Sequence, residues 1–277
     1  MMQKPTKHDL HKLGLLRRLT GPLRVLPDFL ILGAQKAGTT TIYDNLVKHP
    51  LVLPADIKEV HFFDNAWAHR VNWYRAHFPT RTAMSAHEGS ITGEGSPYYL
   101  FHPLVPARVK QVVPGAKFIM VLRNPVDRAY SHYQHEARKG REPLTFPDAI
   151  AQEAKRIAGE VDRLAADPNY RSTALQHFSY IERGKYAEQL RRWFNVFPRE
   201  QFLILTSDEL NRQFQDTMQK LYAFLGLPDH AIETPKRSNV GSYSKMEPET
   251  REQLLELFRP HNAELEKLID RTLDWNK

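Results

Sequence analysis

The sequence predicts an α/β protein: one domain with a central, mostly parallel sheet flanked by helices. Three observations carry this. The runs Phe29-Leu30-Ile31-Leu32, Lys117–Leu122 (KFIMVL) and Phe202-Leu203-Ile204-Leu205 are short and apolar without alternation, as strands buried on both faces are. Sequence of helical period follows each of them, and alternating strands and helices make parallel crossovers. Nothing after Asp28 resembles a Gly/Ser-rich linker or an internal repeat, so residues 27–277 read as a single domain.

The elements follow in order. The first strand is bounded by Pro27 and Gly33, and the helix after it, residues 39–48, stops before Pro50. Residues 102–113 read as a helix and Pro114-Gly115 as a turn. After the second strand, Asn124-Pro125 opens a helix with proline at its first position. Residues 145–166 are helical in pattern and charged over most of their surface, which reads as a solvated covering helix. Residues 186–197 are amphipathic, and helical sequence continues after the third strand to Leu225. Residues 248–270 are helical too, with Pro260 expected to break or kink them. The first 26 residues carry Lys4, Lys7, Lys12, Arg17, Arg18 and Arg24 and read as a loosely packed basic arm.

Composition narrows the function. With no cysteine there are no disulfides, thiolate nucleophiles or zinc–thiolate sites. A formal charge of +7 favours an anionic ligand. The basic residues are spread along the chain without a nucleic-acid-binding motif, so nucleic acid is not the expected partner. No stretch approaches the roughly 18 apolar residues of a membrane span, nor does the N-terminus read as a signal peptide. A cytoplasmic location is the expectation.

Chemistry concentrates at the strand ends, where ligands of such folds sit. Gly33-Ala34-Gln35-Lys36-Ala37-Gly38-Thr39-Thr40-Thr41 follows a strand and opens a helix, so its backbone N–H groups can converge on an anion. It differs from a nucleoside-triphosphate loop: Thr39 stands where lysine should follow the second glycine, and a lysine lies inside the loop at Lys36. The strand KFIMVL runs into Arg123, not into a magnesium-binding aspartate. A phosphosulfate, with no γ-phosphate to reach and no metal to clamp, fits this cradle better than a triphosphate. The second half is Arg123-Asn124-Pro125-Val126-Asp127-Arg128-Ala129-Tyr130-Ser131, in which the Arg123 fork and the Ser131 hydroxyl suit a phosphate monoester. His132 and His135 with Glu136 form a pair without a third ligand and read as a solvated helix face, so no metal is assigned. Trp73, Tyr74, Trp193 and Phe194 read as core or groove-lining aromatics. A magnesium-dependent kinase and a non-catalytic binder of anionic glycans are the competing functions.

These strings resemble the 3′-phosphoadenosine 5′-phosphosulfate-dependent sulfotransferase family, and within it the heparan-sulfate-type glucosaminyl N- and 3-O-sulfotransferase branch. FLILGAQKAGTTTIY is similar to the family's 5′-phosphosulfate loop and VLRNPVDRAYSHY to its 3′-phosphate motif. Lys58-Glu59-Val60-His61-Phe62-Phe63-Asp64 matches the branch's KE-x-HFFD segment, and Gly93-Glu94-Gly95-Ser96-Pro97-Tyr98-Tyr99 and Arg271-Thr272-Leu273-Asp274-Trp275 are also similar to it. The resemblance implies sulfuryl transfer from that donor to a hydroxyl or amine of a carbohydrate or other small acceptor, leaving 3′-phosphoadenosine 5′-phosphate. It implies that Gln35, Lys36, Ala37, Gly38, Thr39, Thr40 and Thr41 hold the phosphosulfate, with Arg123 and Ser131 on the 3′-phosphate. Where the branch has a basic glycine-containing loop late in the sequence, this chain reads Ser238-Asn239-Val240-Gly241-Ser242-Tyr243-Ser244-Lys245, of which Gly241, Ser242 and Tyr243 are carried over as cofactor-loop candidates. Glu59 is the implied general base, with His61 the alternative. The branch's membrane anchor and C-terminal cysteine pair have no counterpart here, which points to a bacterial-type cytoplasmic relative.

Overall fold

The computed structural model describes residues 13–232 and 244–276. Five strands form one parallel sheet: β1 Phe29–Gly33, β2 Val52–Pro54, β3 Ile91–Glu94, β4 Lys117–Leu122 and β5 Phe202–Thr206, in the order β2-β3-β1-β4-β5. The expected parallel sheet with flanking helices is present. The connection leaving β1 runs toward the β2 edge and the one leaving β4 runs toward the β5 edge. The carboxyl ends of these two adjacent strands are therefore the switch point where such sheets bind ligands.

Burial follows position in the sheet. Every residue of β1 is buried, as are all of β4 after Lys117, while β5 at the edge is half-exposed along Phe202, Leu203 and Ile204. The core adds Trp193, Phe197, Tyr186 and Leu190 from the helix Tyr186–Phe194 and its exit. A second apolar cluster, with Val126, Phe146, Tyr180, Leu254 and Phe258, joins the helix Pro125–Arg138 to its cover.

β2 and β3 had no sequence signal. VLP and ITGE are too short and carry Pro54, Gly93 and Glu94, which depress strand propensity. Gly93 is required by its neighbour, since a Cβ there would lie 2.4 Å from the carbonyl oxygen of Phe29.

Several helices differ from expectation. The run 39–48 is helical only over Thr39–Leu46, and residues 102–113 only over Val105–Val112. Residues 145–166 form two helices, Phe146–Ile157 and Glu160–Ala166, parted at Gly159 with φ 72°. Their charges are not all solvated: Glu153 accepts hydrogen bonds from the Ile181 and Glu182 amides, and Glu160 from the Tyr170 hydroxyl. Pro260 does not break its helix, which runs unbroken over Pro248–Ile269. The proline removes one backbone hydrogen bond, and Leu254, Phe258 and Leu265 are buried on either side of it. That burial outweighs the loss.

From Leu13 onward the basic arm packs on the body. Arg17 donates to the Ala76 carbonyl and lies 3.2 Å from Asp56, and Arg24 donates to the Phe78 carbonyl. No helix among the described residues is long and apolar enough to cross a membrane.

Candidate active site

A cavity of about 1900 Å³ opens at the carboxyl ends of the strands. Gln35 to Thr41, Glu59, His61, Arg123 and Ser131 all line it. Gly241, Ser242 and Tyr243 lie outside the described residues.

The floor is the turn from β1 into the helix Thr39–Leu46. Gly38 sits at φ 108° immediately before that helix, and a Cβ on it would come 2.8 Å from Leu210. Glycine is needed here for the conformation. Lys36 is itself left-handed, at φ 71°. Its carbonyl oxygen accepts a 3.0 Å hydrogen bond from Arg123, while Arg183 donates to Gln35 Oε1 at 2.7 Å. The turn is thus clamped from two sides by arginines.

Arg123 follows β4, and its own carbonyl accepts from the Tyr186 hydroxyl at 2.9 Å. Next in sequence, Asn124 caps the helix Pro125–Arg138 by accepting from the Val126 amide. Its amide nitrogen also donates to the Trp275 carbonyl, which seats the segment 271–275 on the cavity wall. Ser131 is buried on the same helix and reaches the same cavity.

Positive charge is crowded here. Burial lowers the pKa of Lys36, and the cations of Arg138, Arg123 and Lys139 lower it further. A second ammonium joins them: Lys58 Nζ donates to Thr40 Oγ1 at 2.9 Å and lies 3.5 Å from Thr39 Oγ1. Such a set of cations, hydroxyls and a helix N-terminus fits an anion of two or more charges.

Lys58 also bridges to Glu59, with Nζ 3.0 Å from Oε1. On the other side His61 Nε2 lies 3.4 Å from Glu59 Oε2, and His61 Nδ1 is 2.7 Å from Asp64 Oδ2. Burial alone would lower the His61 pKa, but Asp64 and Glu59 outweigh it and raise it well above the usual imidazole range. His61 thus lies between two carboxylates that favour its protonated form. Burial alone would raise the Glu59 pKa, yet the hydrogen bond from His61 and the charges of Lys58 and His61 hold it well below the usual range.

The helix face with His132, His135 and Glu136 is not solvated. His132 and Glu136 are buried, and His135 lines the cavity. Glu136 accepts from Arg141 at 2.5 Å and pairs with His177 at 3.2 Å. Burial opposes this carboxylate, but those partners win and bring its pKa down to about 2. Burial, with Lys139 and Lys36 beyond it, pushes His135 down to about 4. Residues beyond the helix, His177 among them, cover this face, which the sequence of the helix alone does not reveal. Among the described residues no group of three His, Cys, Asp or Glu could hold a metal ion.

Trp73 lines the cavity, whereas Tyr74 and Trp193 are buried. Sequence reasoning missed two site residues. Lys58 stood in the quoted KE-x-HFFD string with no role assigned to it. Arg183 carried no signal, because it arrives from 148 residues away.

The sulfotransferase domain family matches residues 26–275. The bifunctional heparan sulfate N-deacetylase/N-sulfotransferase 2 of Homo sapiens is 32% identical over 275 residues, covering 89% of this chain and 30% of that protein. N-deacetylase/N-sulfotransferase 3 of Homo sapiens is 31% identical over 275 residues, 88% of this chain and 30% of that protein. The chain thus spans about 30% of the length of these relatives. The crystal structure of a sulfotransferase from Alicyclobacillus acidocaldarius is 32% identical and superposes with a TM-score of 0.70, covering 91% of this chain and 100% of that one. Fold, sequence and family match agree: the chain belongs to the sulfotransferase family.

Proposed function

We propose that this chain moves a sulfuryl group from 3′-phosphoadenosine 5′-phosphosulfate to a hydroxyl or amine of an anionic carbohydrate, and that residues 27–277 carry the activity. One observation carries the reading: the turn 35–41, the Arg123–Ser131 pair and Glu59 converge on a single cavity. The donor set fits the nucleotide. Lys36, Lys58 and the Thr39, Thr40 and Thr41 hydroxyls suit the 5′-phosphosulfate, and Arg123 with Ser131 suits the 3′-phosphate.

In the reaction an acceptor oxygen or nitrogen forms a bond to sulfur as the bond from sulfur to the bridging phosphate oxygen breaks. Negative charge grows on that bridging oxygen, and Lys36 and Lys58 are the groups that stabilise it. The acceptor proton goes to Glu59. Its low pKa does not disqualify it, because the acceptor proton becomes acidic only as the bond to sulfur forms. His61, already protonated, orients Glu59 and is not the base. Since lysines supply the positive charge, transfer proceeds without a divalent cation. Lys139, Arg141 and Arg171 line the remaining wall, and this favours an acceptor bearing carboxylates or sulfates. The heparan sulfate activity printed in the names of the human relatives agrees with such an acceptor.

The test is a thermal-shift comparison of 3′-phosphoadenosine 5′-phosphate with ATP·Mg²⁺, followed by transfer of labelled sulfate to polysaccharides carrying free amines and hydroxyls. Stabilisation by the first nucleotide and label on the polysaccharide are expected. Stabilisation by ATP·Mg²⁺ alone would overturn the donor, and nucleotide binding without transfer to any acceptor would favour a binding protein.

A further inference from the structure

Four consecutive backbone amides in the segment 58–64 end on one buried network. The Val60 amide donates to Glu94 Oε2 at 3.2 Å, and the His61 amide to Ser96 Oγ at 3.0 Å. Those of Phe62 and Phe63 donate to the Tyr99 hydroxyl at 2.8 and 3.3 Å. Both hydroxyls pass the interaction on to the same carboxylate: Ser96 Oγ donates to Glu94 Oε2 at 2.6 Å and the Tyr99 hydroxyl to Glu94 Oε1 at 2.7 Å. The Tyr74 hydroxyl adds a fourth donor at 3.1 Å. Glu94 is fully buried at the end of β3, and Gly95 ties the two segments again through its amide to the Lys58 carbonyl.

We infer that Glu94, acting through Ser96 and Tyr99, is the positioning residue that sets the conformation of the catalytic segment and aims Glu59 and His61 into the cavity. This gives a role to the Gly93–Tyr99 string, which the proposed reaction leaves unused. It rests on the reading of Glu59 as base.

Three facts support it beyond the hydrogen bonds. His61 sits at φ 55°, a left-handed conformation uncommon for a residue with a side chain. Here both its own amide and the preceding one are held by the network. Among the described residues Glu94 makes no direct ion pair: its polar contacts are three hydroxyls and an amide, and the charge of His61 reaches it only at longer range. A buried carboxylate with no ion pair is a costly way to fill a core. Finally, the Ser96 and Tyr99 hydroxyls each accept from an amide while donating to the carboxylate, so their direction is fixed. Reversing one would leave an amide of the catalytic segment without a partner.

The experiment compares Ser96→Ala, Tyr99→Phe and Glu94→Gln, each alone and combined with Glu59→Gln, by single-turnover sulfate transfer, binding of 3′-phosphoadenosine 5′-phosphate and melting temperature. The first two variants keep the buried carboxylate and leave the protein folded even where Glu94→Gln does not. Each is expected to lower the transfer rate by about 10- to 100-fold, as small misplacements of catalytic groups do, with nucleotide affinity changed less than about twofold. In the Glu59→Gln background the same substitutions should cost almost nothing, since the group they aim is gone. Wild-type transfer in Ser96→Ala and Tyr99→Phe, with Glu59→Gln inactive, would overturn the positioning role alone. Losses equal in both backgrounds would also overturn it, by marking the network as structural. Wild-type transfer in Glu59→Gln would overturn both this inference and the base on which it rests.

Discussion

The guanidinium of Arg123 donates to the carbonyl oxygen of Lys36 at 3.0 Å, so the arginine at the end of β4 and the turn after β1 are one mechanical unit. Arg123→Ala should therefore act twice. Affinity for 3′-phosphoadenosine 5′-phosphate is expected to fall by about 10- to 100-fold, the scale of a lost charge-assisted contact. Adenosine 5′-phosphate, which lacks the 3′-phosphate, should lose less, though not nothing, because the turn is loosened. Calorimetric titration of both nucleotides checks this, and equal losses would remove Arg123 from the 3′-phosphate.

Lys36→Ala removes charge that matters most as the leaving oxygen becomes negative. Transfer should drop by about 10²–10³-fold, as when one preorganised donor is lost, with a much smaller change in product-nucleotide affinity. Lys58→Ala should resemble it and additionally free Glu59 from an ion pair. Single-turnover rates beside binding constants give the comparison, and an active Lys36→Ala enzyme would contradict the assignment.

Glu59→Gln keeps the shape of the side chain but accepts no proton, so turnover should fall by about 10²–10⁴-fold with nucleotide binding preserved. His61→Ala should be milder and leave a different signature. It removes the hydrogen bond and charge that hold the Glu59 pKa down, so that pKa rises toward the ordinary range and the acid limb of kcat moves to higher pH. Near-normal turnover in Glu59→Gln with collapse in His61→Ala would transfer the base to His61.

Stability should decline as pH drops from 6.5 toward 4. Burial pushes His102 and His135 down to about 4 each. The unfolded chain takes up their protons as pH falls through about 6.5, while the folded protein does not until about 4. At these two histidines the unfolded state binds more protons in that window, so they make stability rise with pH, with a limiting slope of about 1.4 kcal/mol per pH unit for each, while Glu153, which burial pushes up to about 7, acts the other way. His102→Asn retains an acceptor for the Leu104 amide and should flatten the dependence by about one group. Urea titrations at pH 7, 6 and 5 measure this, and an unchanged slope would mean His102 is already charged in the folded protein.

Much of the fold was legible because burial on both faces leaves a local mark. β1, β4 and β5 were visible as uninterrupted apolar runs, and the turn 33–41 as glycines and a lysine between strand and helix. Arg123 and Ser131 were visible because their spacing is set within one strand-to-helix unit. What no local pattern carried was imposed across the sheet. β3 is a strand because β1 supplies a partner edge, and β2 because β3 does so in turn, and Pro260 stays helical because burial on both sides outweighs one lost hydrogen bond. The site divides in the same way. The sequence by itself determined which groups could bind an anion and accept a proton, since charge, hydroxyl content and glycine placement are properties of the chain. Only the tertiary structure decided that Lys58 turns back onto Thr40, that Arg183 grips Gln35, and that His61 sits between Glu59 and Asp64. Those relations depend on distances and burial between distant segments, and on the low dielectric that makes a few ångströms decide a proton's place.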